Sequence, residues 1–390
     1  MVPFAGWDMP VWYSSVLEEH MATRNAAGLF DVSHMGVYQA EGADALAFLD
    51  SVCANDIASL AIGESLYTHF LDPDANVLDD LLVYRHAKDC YLVVVNAAND
   101  QKDWAWLNAV KDGSVKVDHA RPWVRAYGSG VILKNLRDPK LGDEMRVDIA
   151  LQGPLSREIL CGIGLSKTDI ARLKKLKRTQ LCHIDWNSQD LIVSRTGYTG
   201  EKTAFEIFIH PKKALEFWNK VLEIGTPLGL KPCGLGARDS LRTEAGLPLY
   251  GHEMGGSANL KVGDAGFGLY VKTYKPWFIG RQSFIENESC RKSEVVRFRF
   301  AEKRVRMAHP GDAVLNDKGK VIGFVTSCAI DKEEFLTGQA YVEKTNLIEG
   351  NEIFVYQNIQ AMEGILPKEL IMGKKIQLPD KAIVLSRFPK

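Results

Sequence analysis

Apolar residues follow two spacings in the first third of the chain. Spacings of three or four positions predict helices over Ser14–Ala27, Gly42–Val52 and Asp100–Val110. Short apolar runs between turn residues predict the following strands: Leu29–Ala40, Tyr67–Leu71, Val77–Tyr84 and Tyr91–Asn96. This order of elements favours an α+β fold with an antiparallel sheet.

The pattern is lost from Lys111 to Asp148, where a charged, proline-containing stretch predicts a long insertion or an inter-domain crossing. A second helix–strand–strand–helix series over Ser156–Ile224 roughly mirrors the first and predicts a related α+β unit. After Glu294, alternating residues and glycine-containing turns predict a small β-barrel or sandwich.

Composition narrows the class of protein. A chain of 390 residues predicts two or three domains, and 46% apolar residues with a net charge of −1 are ordinary for a soluble protein. This balance favours neither a nucleic acid nor a membrane partner. Seven scattered cysteines without a C-x-x-C pair indicate a reducing compartment, and neither they nor the histidines have metal-ligand spacing. We therefore expect a cytoplasmic protein without a metal site.

The segment Gly234–Gly251 is rich in glycine at both ends and charged in the middle. Its central part, Ala237–Ala245, has helical spacing and contains Arg238, Arg242 and Glu244. Two interpretations stay open. The helix presents a guanidinium group to a planar or anionic ligand, or it is an ion-paired structural turn.

Two adjacent carboxylates, Asp79 and Asp80, lie within the apolar run Val77–Tyr84. Neighbouring residues of a strand point to opposite faces, so one of the two acids should face inward. A buried acid is unfavourable unless something compensates it, which makes Asp80 our candidate for a site residue. The alternative is a strand end with both acids in water.

A glycine-containing turn, Ser194–Glu201, precedes a strand with a second central acid, Glu206. A carboxylate can accept paired hydrogen bonds from a cyclic amidine edge such as that of a pterin. The alternative is a cross-strand ion pair, for example with Arg195.

Three further residues have open interpretations. The Asn96 amide either binds a heterocycle or ends its strand, and Tyr67 and Tyr84 either stack on a ligand or belong to the core. The chain has no nucleophile-elbow, Walker A or dinucleotide-binding motif.

Taken in order, these segments resemble the tetrahydrofolate-dependent aminomethyltransferase family, the T-protein of the glycine cleavage system and its relatives. The resemblance extends nearly end to end. Its most specific motifs are SRTGYTGE at Ser194–Glu201 and GLGARDSLRTEAG within Gly234–Gly251. Further matching segments are Val2–Tyr13, Phe30–Gly36, Val77–Tyr84, Val93–Asn99, Leu151–Pro154 and Phe278–Arg281.

The resemblance implies an α+β, three-domain cloverleaf around a central folate cavity. Two related α+β domains would span residues 1–145, with an insertion at about 118–148, and residues 146–288. A C-terminal β-barrel domain would span 289–390. In family members several residues precede the position that matches Met1, so we expect that the native start lies upstream.

The resemblance also implies roles for residues. Asp80 matches the essential carboxylate beside the reactive N5/N10 edge of the folate, and Glu206 matches the acid that holds the pterin edge. Arg238 matches the arginine of the family's GARD motif. Residues matching those that line the folate cavity are Met35, Tyr67, Leu78, Val94, Asn96, Tyr198 and Tyr250.

The implied reaction transfers an aminomethyl carbon from a lipoylated carrier, the H-protein, to N5 of tetrahydrofolate, with release of ammonia. A carboxylate such as Asp80 would stabilise the developing cation. The same scaffold serves tetrahydrofolate-dependent demethylases, whose donor is an O-, S- or N-methyl small molecule, and this is the alternative function.

Four segments depart from the family pattern. The turn Gly200–Ala204 is one residue longer than usual, and a cavity-side tyrosine is missing from Lys174–Arg178. Leu269 stands where the glycine-cleavage enzymes have a tryptophan, and Cys328–Lys332 replaces a serine-, threonine- and proline-rich stretch. These changes bear on the identity of the one-carbon donor more than on the binding of folate.

Overall fold

The computed structural model describes residues 1–346, 348–357 and 379–389. The chain divides into two compact units. The first comprises Met1–Arg238 and Leu269–Glu286, and the second comprises Asp239–Gly268 and Asn287–Lys390. The three-domain division remains a prediction.

The strands of the first unit are numbered in chain order. They are β1 (Val2–Phe4), β2 (Trp7–Met9), β3 (Gly28–Asp31), β4 (Gly36–Glu41), β5 (Glu64–Leu71), β6 (Val77–Ala87), β7 (Cys90–Val95), β8 (Ile132–Asn135), β9 (Val147–Gln152), β10 (Leu181–Trp186), β11 (Gln189–Ser194), β12 (Ala204–Ile209) and β13 (Lys231–Cys233). β1 and β2 form a hairpin, and the others form two sheets.

The first sheet has five strands in the order β5-β6-β7-β4-β8, and all its neighbours are antiparallel. In the register of β5 and β6, His69 lies opposite Asp80. The second sheet has the order β10-β11-β12-β9-β3-β13, and its last pair, β3 with β13, is parallel. Glu206 on β12 lies opposite Ser194 on β11 and Ala150 on β9.

The helices of the chain are α1 (Val16–Asn25), α2 (Ala45–Val52), α3 (Asp100–Lys111), α4 (Ser156–Cys161), α5 (Lys167–Lys175), α6 (Pro211–Gly225), α7 (Leu235–Glu244) and α8 (Arg281–Cys290). Several begin with the expected caps. The Ser15 and Ser166 hydroxyls accept from backbone amides of α1 and α5, and Pro211 is the first residue of α6.

The two sheets pack face to face. Side chains of both meet in one apolar cluster that includes Tyr84 and Val94 from the first sheet and Ile192 and Phe208 from the second. The outer face of the first sheet is covered by α2 and α3, and that of the second by α4, α5 and α6. The first unit is therefore a helix–sheet–sheet–helix sandwich, and a side chain on an inner face points between the sheets.

The second unit contains a closed barrel. Its strands are β14 (Ser293–Phe300), β15 (Ala313–Leu315), β16 (Val321–Ile330), β17 (Leu336–Glu343), β18 (Glu352–Tyr356) and β19 (Asp380–Leu385). They close in the order β14-β17-β16-β15-β18-β19, and every pair is antiparallel. The mixed α+β fold with a C-terminal barrel is thus confirmed.

Two sequence-based predictions of elements were wrong in detail. The single strand expected at Leu29–Ala40 is two strands, β3 and β4, in different sheets. A turn separates them, in which the Ser33 amide donates to Asp31 Oδ1 at 2.9 Å. The stretch expected to lack pattern, Lys111–Asp148, contributes β8, which pairs with β4 through backbone hydrogen bonds that side-chain periodicity does not reveal.

Candidate functional site

Asp80 is held by two side chains at the inner face of the first sheet. The Tyr67 hydroxyl donates to Asp80 Oδ2 at 2.8 Å, and Asn96 Nδ2 donates to Asp80 Oδ1 at 3.0 Å. Asp80 is only 8% exposed. The alternative of a strand end with both acids in water is therefore wrong, and three predicted site residues form one hydrogen-bonded group.

Asp79 lies on the opposite face of β6 and is fully buried. Its Oδ2 accepts from the Asn96 backbone amide at 2.9 Å. Its Oδ1 accepts from Asn96 Nδ2 at 2.9 Å and from Asn99 Nδ2 at 2.5 Å. Asn96 directly follows its strand and joins both carboxylates, and a contact with a heterocycle stays a prediction.

The pKa of the Asp80 carboxyl is raised from its ordinary value to about 7, first by burial and then by the charge of Asp79. The hydrogen bonds from Tyr67 and Asn96 oppose this rise because they favour the charged form. Asp80 is therefore poised to change its charge near neutral pH, which is typical of catalytic acids and bases.

Glu206 occupies the facing sheet. Its Oε2 accepts from the Tyr84 hydroxyl at 2.6 Å and from the Thr196 hydroxyl. Its Oε1 has no hydrogen-bond donor among the residues that the structure describes. The alternative of an ion pair with Arg195 is wrong, because that guanidinium donates to the carbonyls of Leu176 and Lys202.

A second buried acid accompanies Glu206. Asp148 on β9 is 2% exposed, and its Oδ1 lacks a hydrogen-bond partner in the described part of the chain. Burial, and then the charge of Glu206, raises the pKa of Asp148 well above its ordinary value, while Arg238 acts in the opposite direction. Asp148 was not among the predicted site residues, although an acid next to an apolar run is a usable signal.

The predicted turn Ser194–Glu201 brings the Tyr198 ring close to Arg238, the first arginine of α7. Gly197 lets this turn pack closely against the neighbouring strands β12 and β9, since a Cβ there would lie 2.6 Å from Ala204 and 2.7 Å from Gln152. The Arg238 guanidinium lies 5.1 Å from the centroid of the Tyr198 ring, a cation–π distance. Within the described ranges, this guanidinium has no hydrogen-bond acceptor.

The remaining predicted lining residues have different surroundings. Val94 belongs to the apolar cluster between the sheets, and Met35 packs against it. Leu78 packs on the helix side, because a register shift beside it interrupts the alternation of β6. Tyr250 belongs to the second unit, and its role as a ligand contact stays a prediction.

The second arginine of α7 has a structural role in the second unit. Arg242 is 1% exposed and donates to Glu253 Oε2 at 2.7 Å and to the Ser327 hydroxyl at 2.8 Å. Glu253 Oε1 accepts from the same hydroxyl at 2.6 Å. Arg242 therefore fits the interpretation of an ion-paired structural turn, whereas the contact of Arg238 with a ligand stays a prediction.

Across the described residues, no helix has the length and apolar character needed to cross a membrane. The same ranges contain no group of three or more histidine, cysteine or acidic side chains arranged to hold a metal ion.

Comparison with known proteins shows the family. A family model described as the GCVT N-terminal domain matches residues 1–275. The aminomethyltransferase of Caldanaerobacter subterraneus is 40% identical over 330 residues, which are 84% of this chain and 79% of that protein. The aminomethyltransferase of Lysinibacillus sphaericus is 37% identical over 355 residues, 90% of this chain and 88% of that protein.

A solved structure agrees over nearly the whole length. The glycine cleavage system aminomethyltransferase T from Bartonella henselae superimposes with a TM-score of 0.76 at 30% identity, covering 99% of this chain and 92% of that one. The protein is therefore an α+β transferase with a C-terminal barrel. More narrowly, the chain belongs to the aminomethyltransferase family, whose members use tetrahydrofolate as a substrate.

Proposed function

We propose that this chain transfers an aminomethyl carbon from a lipoylated carrier protein to tetrahydrofolate, with Asp80 as its catalytic carboxylate. The observation that carries the proposal is the Asp80 carboxyl, buried at an inner sheet face yet joined to Tyr67 and Asn96. The relatives support it, since they are named aminomethyltransferases.

The residues opposite Asp80 fit the pterin part of the folate. Glu206 Oε1, which has no donor among the described residues, can accept one hydrogen bond of a cyclic amidine edge, while Tyr84 and Thr196 hold its other oxygen in place. The Arg238 guanidinium, at a cation–π distance from Tyr198, would donate to an acceptor of the same ring system.

The spacing along β6 separates the two ends of the proposed site. Asp80 and Tyr84 lie on the same face, four residues and about 13 Å apart. Because the Tyr84 hydroxyl contacts Glu206, one acid stands near each end of this stretch. A bicyclic ring held at Glu206 would direct its reactive nitrogen towards Asp80.

When bound, tetrahydrofolate supplies the nitrogen nucleophile that takes up the one-carbon unit. Asp80, in its ionised form, would stabilise the positive charge that develops on that unit, and Tyr67 and Asn96 would fix the carboxylate before the reaction. No protein nucleophile is needed.

The decisive experiment supplies tetrahydrofolate together with either an aminomethylated lipoyl carrier protein or a panel of methylated small molecules. We expect methylene-tetrahydrofolate and ammonia with the carrier alone. Methyl-tetrahydrofolate from a small molecule would overturn the proposal and identify a demethylase instead. The absence of any folate product with either donor would overturn both.

The variant Asp80→Asn tests the assigned role. We expect turnover to fall by about 100-fold or more, with tetrahydrofolate binding retained, because the variant removes charge but not shape. The matched control is Asp89→Asn, the same change in the turn between β6 and β7, where a positive φ of 51° suits asparagine. Equal activities of the two variants would contradict the role of Asp80.

A further inference from the structure

The Asp103 carboxyl, on the buried face of α3, has surroundings unlike those of the other acids nearby. Asp103 and Asp79 are both fully buried. In the part of the chain that the structure describes, no N–H or hydroxyl group donates a hydrogen bond to either oxygen of Asp103. The Asp103 side chain is instead joined to the carboxyl of Asp79 by a side-chain hydrogen bond.

Asp79 has the donors that Asp103 lacks. Three N–H groups, from the Asn96 backbone, Asn96 Nδ2 and Asn99 Nδ2, point at its two oxygens. Two touching carboxyl groups away from water cannot both be ionised, and the charge settles on the group with more donors. Asp79 therefore keeps the charge.

We propose that Asp103 retains its proton and donates it as a hydrogen bond to Asp79, and that this neutral carboxyl is a positioning residue for Asp80. Asp103 acts on Asp80 through two residues. Asp79 accepts hydrogen bonds from Asn96, and the Asn96 side chain also donates to Asp80. The proposal rests on the proposed function, since it gives Asp80 the catalytic role.

The electrostatics agree with the geometry. Burial, followed by the charge of Asp79, raises the pKa of Asp103 to about 10, so that it stays protonated at neutral pH. If Asp103 were ionised as well as Asp79, its charge would raise the pKa of Asp80 above about 7. Asp80 would then be neutral when its charge is needed.

The other ionisable groups around these carboxyls leave this charge state in place. They are Tyr38, Tyr67, His69, Asp100 and Lys102. His69 is neutral, because burial lowers its pKa to about 3. Lys102 Nζ is occupied by the Leu78 carbonyl at 2.5 Å and Asn99 Oδ1 at 2.8 Å.

The test compares Asp103→Leu with the conservative Asp103→Asn in the full chain. Asn supplies an N–H donor to Asp79 without a titratable proton, so the acid limb of the pH–rate profile should stay where it is. Leu removes the donor and leaves the Asp79 charge less compensated, so the acid limb should move to higher pH, with about a tenfold loss of rate at neutral pH. An acid limb that moves to lower pH in Asp103→Asn would overturn the proposal, because that shift means an ionised Asp103.

An infrared measurement tests the same proton without the enzymatic reaction. At about pH 8, well below the pKa of Asp103, the wild-type chain should show the carbonyl stretch of a protonated carboxyl that Asp103→Asn lacks. An unchanged band intensity would overturn the proposal. A wild-type chain that shows the band but makes no folate product would reject the proposed function while leaving the protonation of Asp103 supported.

Discussion

Replacing Asp80 with asparagine should stabilise the folded chain in neutral and alkaline solution while removing its activity. The folded-state pKa of Asp80 is about 7, compared with an ordinary value of 3.8. Because the folded pKa is raised, the contribution of Asp80 to stability is present in full below about pH 4 and is lost as the pH rises through 7. The Asp80→Asn variant would escape this loss, since an amide does not ionise.

The shift sets the size of the effect. A difference of about three pH units, at 1.36 kcal/mol per unit, gives up to roughly 4 kcal/mol, and we expect a measured gain of about 2–4 kcal/mol at pH 8. Both contacts can be kept if one reverses direction, because the asparagine oxygen can accept from Asn96 Nδ2 while its amide N–H donates to the Tyr67 hydroxyl. The advantage of the variant should grow between about pH 4 and pH 7 and then level off.

Urea denaturation of both proteins across this pH range measures the effect. Asp89→Asn, the same substitution in a turn, is the control and should follow the wild-type curve. A constant difference between Asp80→Asn and wild type across the range would refute the reasoning, as would a variant less stable than wild type at pH 8. Either result would mean that ionisation of Asp80 does not lower the stability of the folded chain.

Three further perturbations test neighbouring contacts. Tyr67→Phe removes a hydrogen bond to the Asp80 carboxylate, so the acid limb of the pH–rate profile should move to higher pH by about half a unit or more. Glu206→Gln should weaken tetrahydrofolate binding by about tenfold in calorimetry, because an amide is a poorer acceptor than a carboxylate. Arg242→Met leaves Glu253 buried without its cation and should lower the free energy of unfolding by about 3–5 kcal/mol in urea denaturation.

Each of these has a contradicting outcome. An unmoved acid limb in Tyr67→Phe would mean that the hydroxyl does not act on Asp80. Unchanged folate affinity in Glu206→Gln would remove Glu206 from the proposed site. For Arg242→Met the control is Asp239→Asn, which removes a half-exposed partner of the same arginine and should have little effect. Equal losses of unfolding free energy in the two variants would contradict the argument that the buried ion pair of Arg242 with Glu253 matters more than its half-exposed pair with Asp239.

Side-chain periodicity was sufficient to predict the local elements that carry the candidate site. Alternation in Val77–Tyr84 placed Asp79 and Asp80 on opposite faces of one strand, which the structure confirms. The pairing of distant strands was not accessible in this way. β3 lies near the start of the chain but joins β9 and β13, and nothing in its own four residues indicates that sheet.

Asp103 shows a signal that was present but not used. Asp103, Leu107 and Val110 are spaced four and three residues apart, so they share one face of α3, and all three are buried. An acid on the apolar face of a predicted helix could therefore have been noted. Its partner could not, because the contact with Asp79 depends on how α3 packs on the sheet.

The two ends of the proposed site use a similar electrostatic arrangement. On the first sheet, the charge of Asp79 raises the pKa of Asp80, and on the second, the charge of Glu206 raises the pKa of Asp148. Each sheet thus keeps two acids closer together than water would favour, and this repulsion lowers the stability of the free protein. Under the proposed function, the N–H donors of a bound pterin would relieve the repulsion at Glu206, and the positive charge that develops in the reaction would relieve it at Asp80. The acids would then favour the reacting state over the unliganded one, as electrostatic preorganisation requires.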